Sequence, residues 1–159
     1  MTTPPPPPRR PAPRRRRNDE AVTRPAPLSA RLAAVVAHEP ALPAGVRLFD
    51  AGHYWHAHEC WEQAWKADAA ADRHFLKGLI QLAAACHHVQ RGAHAPALRL
   101  AASAHTHLAA HQGPRWPFHH HALLVICEQL HRALAAGDAV AMPHLAGVFH
   151  GIAGARAPM

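Results

Sequence analysis

The sequence is poor in cysteine and contains no long apolar run. Its three cysteines, Cys60, Cys86 and Cys127, are far apart and form no CxxC pair. This spacing argues against a disulfide framework or a zinc knuckle and favours buried thiols in a reducing compartment. The apolar run 28–37 is interrupted by Arg31 and is far shorter than the roughly 20 residues of a membrane span. We therefore expect a cytoplasmic protein with no export signal and no membrane insertion.

Acidic residues are scarce, and the basic residues are concentrated at one end of the chain. The 17 Lys and Arg outnumber the 10 Asp and Glu, for a formal charge of +7. Residues 1–27 contain seven of the arginines and five consecutive prolines, and carry a net charge of +5. Proline-rich sequence of this kind does not form a packed core. Residues 1–27 therefore predict a disordered Pro/Arg-rich arm, and residues 151–159 a flexible C-terminus.

The arm gives only a weak indication of a partner. A run of four arginines can contact nucleic acid or anionic lipid, but a low-complexity extension that only adds solubility is the alternative. A protein partner or a homo-oligomer also stays open.

Residues 28–150 predict one all-α domain, a compact bundle of five to six antiparallel helices. The length suits a single domain, and the 49% apolar fraction owes much to alanine, which favours closely packed helices. The predicted helices cover residues 29–37, 44–50, 54–66, 72–92, 95–111 and 119–136, with Ser29 and Asp72 as N-caps and Gly52, Gly92 and Gly137 as stop signals. Residues 138–150 predict a short docked turn. Gly78, in the middle of a helix, predicts that another helix crosses closely there.

Residues 49–65, with the sequence FDAGHYWHAHECWEQAW, combine aromatic, acidic and histidine side chains at helical spacing. One helical face of this stretch collects Tyr54, His58, Trp61 and Trp65. Because these residues recur at steps of four, three and four, His58 is expected to point inward. Glu59 and Glu62 border that face, and Glu62 is four residues from His58. A carboxylate at the edge of a core needs a partner, so we expect His58 to bond with Glu62.

This stretch and the later segment FLKGLIQLAAACHHVQRG, residues 75–92, resemble the bacterial domain-of-unknown-function 309 family, a small all-helical domain, over about residues 46–110. The shared pattern is Phe-x-x-Gly-x-Tyr-aromatic-x-Ala-His-Glu-x-x-Glu-x-x-Trp, then Gly-Leu-Ile-Gln and His-x-Gln-Arg-Gly. The resemblance implies that the family's hallmark polar residues are His58, Glu59, Glu62, Gln81 and His88. His56 departs from the pattern where an acid is frequent, and Ala93 departs where an asparagine is usual. The family name implies no activity.

The hallmark residues predict a buried cluster of His, Glu and Gln side chains. Gln81 and His88 are seven residues apart and project from the same side of their helix. If that helix packs antiparallel to the first, the two polar groups face each other. We interpret the cluster as a structural polar network or a small binding site.

One alternative is a bundle protein that binds a divalent metal such as zinc or iron, with His58, Glu62 and His88 as ligands. Bundle cores host such sites in metal-dependent hydrolases and oxidoreductases. The HExxH and ExxH motifs typical of many of them are both absent from the two helices.

Another alternative is a protein-interaction scaffold. The spacing of Gly52, Tyr54, Ala57, Trp61 and Ala64 resembles the second helix of a tetratricopeptide repeat. A similar pattern, at Gly92, Ala97, Ala101 and Ala104, follows about forty residues later, whereas the true repeat has about 34 residues.

The remaining histidines and tryptophans are expected to have ordinary roles. His107 and His111, four residues apart, and the run 119–121 predict a solvated surface. Trp61 and Trp65 predict anchors in the core rather than a platform for stacking nucleic-acid bases.

Overall fold

The structure, a computed structural model, describes residues 25–67, 73–111 and 116–150. They form α1 (Ala30–Ala37), α2 (Ala41–Asp50), α3 (Tyr54–Ala67), α4 (His74–Gln90), α5 (His94–Ala110), α6 (His120–Ala136) and a 3-10 helix, Ala146–Val148. From α2 to α6, each helix packs on the next one along the chain. The all-α prediction is confirmed: within the described ranges the only β-type pairing is an isolated bridge between Phe118 and Phe149.

Two of the predicted segments fall largely outside these ranges. The predicted arm lies outside the described residues up to position 24, and the predicted flexible C-terminus lies wholly outside them. Among the helices that are described, none is both long and apolar enough to cross a membrane.

Most helix ends follow the local signals in the sequence. The Ser29 hydroxyl accepts the backbone N–H of Leu32 at 3.3 Å and caps α1, as expected for a serine at this position. The three stop signals have left-handed backbone conformations, with φ of 81° at Gly52, 72° at Gly92 and 71° at Gly137. A left-handed glycine beyond the last turn is a common way to end a helix.

Two helix starts differ from the prediction. α2 begins at Ala41, three residues earlier than expected, because Pro43 fits in a first turn whose N–H groups have no intrahelical partner. α4 begins at His74, with Arg73 in the cap position and without a side-chain cap. Asp72, the predicted cap, lies outside the described residues.

The helix crossing predicted at Gly78 is confirmed. A Cβ atom placed on Gly78 would lie 2.5 Å from Leu108 Cγ and 3.2 Å from the Ala104 carbonyl oxygen on α5. The two helices can approach this closely because the α5 face that meets α4 is largely alanine. Its buried members are Ala97, Ala101, Ala104 and Leu108.

A second close approach joins α2 to α3. Trp61 is fully buried, and a Cβ atom on Gly45 would overlap its indole ring. The indole Nε1–H donates to the Leu42 carbonyl oxygen at 3.3 Å. Trp61 therefore lies in a slot that only a glycine at position 45 leaves open.

The carboxylate of Asp50 helps to hold the C-terminal part of the domain. Asp50, at the end of α2, accepts the backbone N–H groups of Leu145 at 2.7 Å and Ala146 at 2.8 Å. Leu145 and Phe149 are buried in the core. The predicted docked turn is thus present, and it is held by Asp50 together with backbone hydrogen bonds to the residues before α6.

The Trp61 slot generates a stability prediction. Gly45→Ala forces a methyl group into the indole ring, so we expect a loss of about 1–3 kcal/mol in the free energy of unfolding, the usual cost of overpacking. Gly147→Ala is the matched control, because a Cβ atom there meets nothing within 4 Å. Urea denaturation followed by circular dichroism measures both variants. Equal stability of the two would show that the slot does not constrain the fold.

Candidate functional site

Helix α3 divides its large side chains between the core and the surface of the domain. Tyr54, Ala57 and Trp61 are buried, whereas His58 and Trp65 are half-buried. His58 was expected on the inward face. It lies instead at the edge of the core, because the fully buried face of α3 is centred on Ala57 and Trp61.

Contacts along the α3–α4 hairpin define its antiparallel register. Near the loop, the Arg73 guanidinium lies 3.8 Å and the Lys77 ammonium 5.1 Å from the centre of the Trp65 ring. Further from the loop, the rings of His87 and Trp55 are 5.3 Å apart. At the far end, the Gln90 side chain donates to the Gly52 carbonyl oxygen at 3.2 Å. In this register His58 and Glu62 lie opposite the turn of α4 that carries Gln81. The predicted opposition of the polar side chains of α3 and those of α4 depends on this pairing.

The region between the two helices, here called the seam, consists of His58, Glu62, Trp65, Lys77 and Gln81. Three of its polar atoms are shielded from solvent and have no hydrogen-bond partner in the part of the chain that the structure describes: His58 Nδ1, Trp65 Nε1 and Gln81 Oε1. Buried polar atoms of folded proteins are almost always paired. The seam therefore presents a donor, an acceptor and an imidazole nitrogen that the protein leaves unused.

The electrostatic environment keeps His58 neutral at pH 7. Burial lowers the pKa of His58, and the positive charges of Lys77 and Lys66 act in the same direction. The carboxylates of Glu62 and Glu59 oppose this shift without cancelling it. A neutral imidazole can both donate and accept a hydrogen bond.

The acidic residues of the predicted cluster face solvent more than the core. The Glu62 carboxylate lies 3.6 Å from Lys66 Nζ, one turn further along α3, and Glu59 is exposed. The influence of both on His58 is electrostatic. The direct bond expected between Glu62 and His58 is thus replaced by a surface ion pair with Lys66, of a kind that contributes little to stability.

The predicted metal ligands are not assembled. His88 is half-buried, and its ring lies 5.9 Å from the ring of His87. Among the described residues, which include His58, Glu62 and His88, no three His, Cys, Asp or Glu side chains are grouped so that they could hold a metal ion.

A cleft of about 610 Å³ opens at the start of α3. Trp55 lines it and is also stacked on His58, with ring centres 4.8 Å apart and planes within 10°. His58 is not itself part of the lining. The residues around the cleft are Pro25, Ala26, Ala51, Gly52, His53, Tyr54, Trp55, His56, His87, Gln90 and Arg91.

Sequence reasoning missed Trp55 and His87 as site residues, although a signal was present. In an antiparallel hairpin, residues equally far from the loop lie side by side. Counting outward from the ends of α3 and α4 brings Trp55 next to Cys86 and His87. The pattern of hallmark residues pointed to His88 instead.

One expectation about the other histidines, the solvated face for His111, is wrong. His111 is only 6% exposed and packs edge-on against Phe75, so it belongs to the core and not to a solvated face. His107 is half-buried, and its Nδ1 lies 3.1 Å from Nδ1 of His74 on α4. Of the three thiols expected to be buried, Cys86 and Cys127 are fully buried, whereas Cys60 is only partly buried. Burial raises the pKa of Cys127 to about 12.

The histidine pKa values predict that acid destabilises the domain. Burial lowers the pKa of His58 and of His87 below the ordinary 6.5, so the folded state binds these protons less tightly than the unfolded chain. The contribution of these two neutral histidines to the stability of the fold is therefore fully present above pH 6.5, and it is lost as the pH falls below that value. We expect the melting temperature of His58→Gln to fall less than that of the wild type between pH 7.5 and 5.5.

His121→Gln is the control for this measurement, because it makes the same substitution at an exposed position of α6. If His58→Gln loses as much stability in acid as the wild type, the burial of His58 has no energetic consequence.

Comparison with known proteins agrees with the family resemblance that the sequence of the α3–α4 hairpin indicates. Residues 42–100 match the family described as a domain of unknown function (DUF309). No curated protein and no solved structure matches the chain. The matched segment runs from α2 to the middle of α5 and includes all of the seam and the helical walls of the cleft. Residues 42–100 of this chain are therefore similar to the DUF309 family, and the match supports the resemblance found in the hairpin sequence.

Proposed function

We propose that this domain binds a small polar molecule in the seam between α3 and α4. The observation that carries the proposal is the set of three buried atoms without a hydrogen-bond partner among the described residues, His58 Nδ1, Trp65 Nε1 and Gln81 Oε1. They come from both helices of the hairpin. A molecule that bonds to all three removes a desolvation cost of about 1–3 kcal/mol for each of them.

The three atoms define the kind of ligand. Trp65 Nε1–H can only donate, so it requires an acceptor on the ligand, whereas Gln81 Oε1 requires a donor. Neutral His58 serves as either. Amides, carboxylic acids and nucleobase edges carry both groups side by side. Lys77 and Glu62, which carry opposite charges on the two helices of the seam, favour a molecule with little net charge.

The other predicted functions have less support in the described residues. A structural polar network is typically saturated with internal hydrogen bonds, and this one is not. The metal alternative lacks an assembled ligand set. The spacing that resembles a tetratricopeptide repeat serves to pack α3 on α2, since Tyr54, Ala57 and Trp61 are buried there. Three cysteines without a disulfide among the described residues support our placement of the domain in the cytoplasm.

A pair of variants tests the proposed site. Gln81→Met preserves the side-chain volume but removes the unpaired acceptor, and Gln63→Met makes the same change at an exposed position of α3. We expect a thermal-shift screen with nicotinamide, adenine, uracil, glutamine and benzoate to identify a compound that stabilises the wild type. At ten times Kd the stabilisation is about 1.4 kcal/mol, or several degrees in Tm.

The shift should persist in Gln63→Met and disappear in Gln81→Met. The opposite result is a screen with no shift, together with a Gln81→Met variant that is more stable than the wild type. It would mean that the seam is only an imperfectly packed helix contact.

Glu62→Gln separates the ligand proposal from the metal alternative. Because Glu62 pairs with Lys66 at the surface, its neutral analogue should keep both the fold and the response to the stabilising compound. Elemental analysis of untagged protein provides the second readout. A bound zinc or iron ion that is lost in Glu62→Gln would support the metal alternative instead, since a neutral amide is a poor ligand for such cations.

A further inference from the structure

Two histidines meet where α4 and α5 pack together, away from the seam. His74 is the first residue of α4, and His107 lies in the last turn of α5. Their Nδ1 atoms are 3.1 Å apart, and their ring planes are inclined by 30°. Two neutral imidazoles at this distance share one proton, so that one Nδ1–H donates to the other Nδ1. The pair therefore brings imidazole nitrogens from two different helices together.

The backbone beside both rings is fixed by the close crossing of the two helices. Gly78 follows His74 by one turn, and a Cβ atom placed on it would lie 2.5 Å from Cγ of Leu108, the residue next to His107. Leu108 itself is fully buried. A rigid support of this kind keeps two ligands at one separation and lowers the entropic cost of binding.

The separation of the two nitrogens matches that of neighbouring ligands on a transition-metal ion. Bonds from histidine nitrogen to zinc are about 2.0–2.1 Å long, and two such bonds span 3.1 Å when the angle between them is about 98°. This angle lies between the right angle of octahedral coordination and the tetrahedral angle. A rotation of each ring about its Cβ–Cγ bond, a torsion with a broad range in histidine, turns both lone pairs toward a common ion.

The electrostatic environment keeps His107 in the form that binds metal. Burial lowers the pKa of His107 below the ordinary 6.5, and the neighbouring His74 and Lys77 lower it further. Histidine ligates a metal ion as the neutral imidazole. His111, one turn beyond His107, packs edge-on against Phe75 in the core. Because His74 is exposed, water can complete the coordination of an ion held by the pair.

We propose that His74 and His107 form a two-histidine site for a divalent transition-metal ion such as zinc, which joins α4 to α5. Imidazole ligands suit zinc, copper and nickel. On binding, the donor ring transfers its proton from Nδ1 to Nε2 through solvent, and both Nδ1 atoms then bond to the ion. The site shares no ligand with the metal alternative at the seam. It goes beyond the ligand suggested for the seam and does not depend on it.

Isothermal titration calorimetry of the untagged full-length protein with zinc chloride at pH 7.5 tests the proposal. We expect His74→Gln and His107→Gln each to weaken the tightest zinc site at least tenfold, because one imidazole alone cannot chelate. Circular dichroism shows whether each variant keeps its helices. His74→Gln, at an exposed position, carries the test if His107→Gln fails to fold. Because protons compete for the same nitrogens, the wild-type affinity should fall at least tenfold at pH 5.5.

Two controls connect the affinity to this pair of histidines. His121→Gln makes the same substitution in the histidine run 119–121, which is the alternative place for surface-bound zinc, and it should leave the tightest site unchanged. Gln81→Met should also bind zinc normally, because the seam is a different site.

Several results would overturn the proposal. They are no binding of zinc at pH 7.5, or an affinity that is unchanged in both His74→Gln and His107→Gln. Loss of the tightest site in His121→Gln would mean an adventitious ion only. Loss in Glu62→Gln but not in His74→Gln would place the ion at the seam instead. A seam compound found by the thermal-shift screen, without any zinc binding, would leave the seam proposal intact and reject this one.

Discussion

The position of α3 depends on the fit of Trp61 into the slot above Gly45. A tryptophan buries more apolar surface than any other side chain of this domain, and here it does so without exposure and with its Nε1–H bonded to Leu42. The fit sets both the distance between α2 and α3 and the rotation of α3 about its axis. Once Trp61 points into the core, His58 and Trp65 must lie at its edge, because they are three and four residues away. The location of the seam is thus a consequence of core packing.

Close packing also determines the orientation of α4. Gly78 lets α5 approach one side of α4 within the reach of Leu108, so this side cannot face α3. The turn with Gln81 is left facing α3, and Arg73 and Lys77 above the Trp65 ring hold the loop end of the hairpin in register. Two glycines, each opposite one large side chain, therefore orient both helices that form the candidate site.

Sequence periodicity predicts the helices of this domain well and their mutual rotation poorly. Ser29, Gly52, Gly92 and Gly137 act on their own neighbours, so their roles could be assigned from local chemistry alone. The hydrogen bond between the Leu145 N–H and the Asp50 carboxylate joins residues 95 positions apart, and neither local sequence predicts it. His111 was misplaced for a related reason: its core position depends on the packing of Phe75 from another helix. His87 lines the cleft, whereas the family pattern points to the adjacent His88, and a step of one residue turns a side chain by about 100° around the helix.

The energetics of the seam argue that its polar atoms serve a purpose other than stability. Three buried polar atoms without partners cost about 1–3 kcal/mol each, whereas a whole domain of this size is stable by only about 5–15 kcal/mol. Apolar side chains at positions 58 and 81 would avoid most of that cost without disturbing the neighbouring core, since Trp61 and Leu79 are already fully buried. A molecule that completed the hydrogen bonds of the three polar atoms would remove that cost. The physical cost of the seam in the isolated domain is therefore the main argument for the proposed binding site.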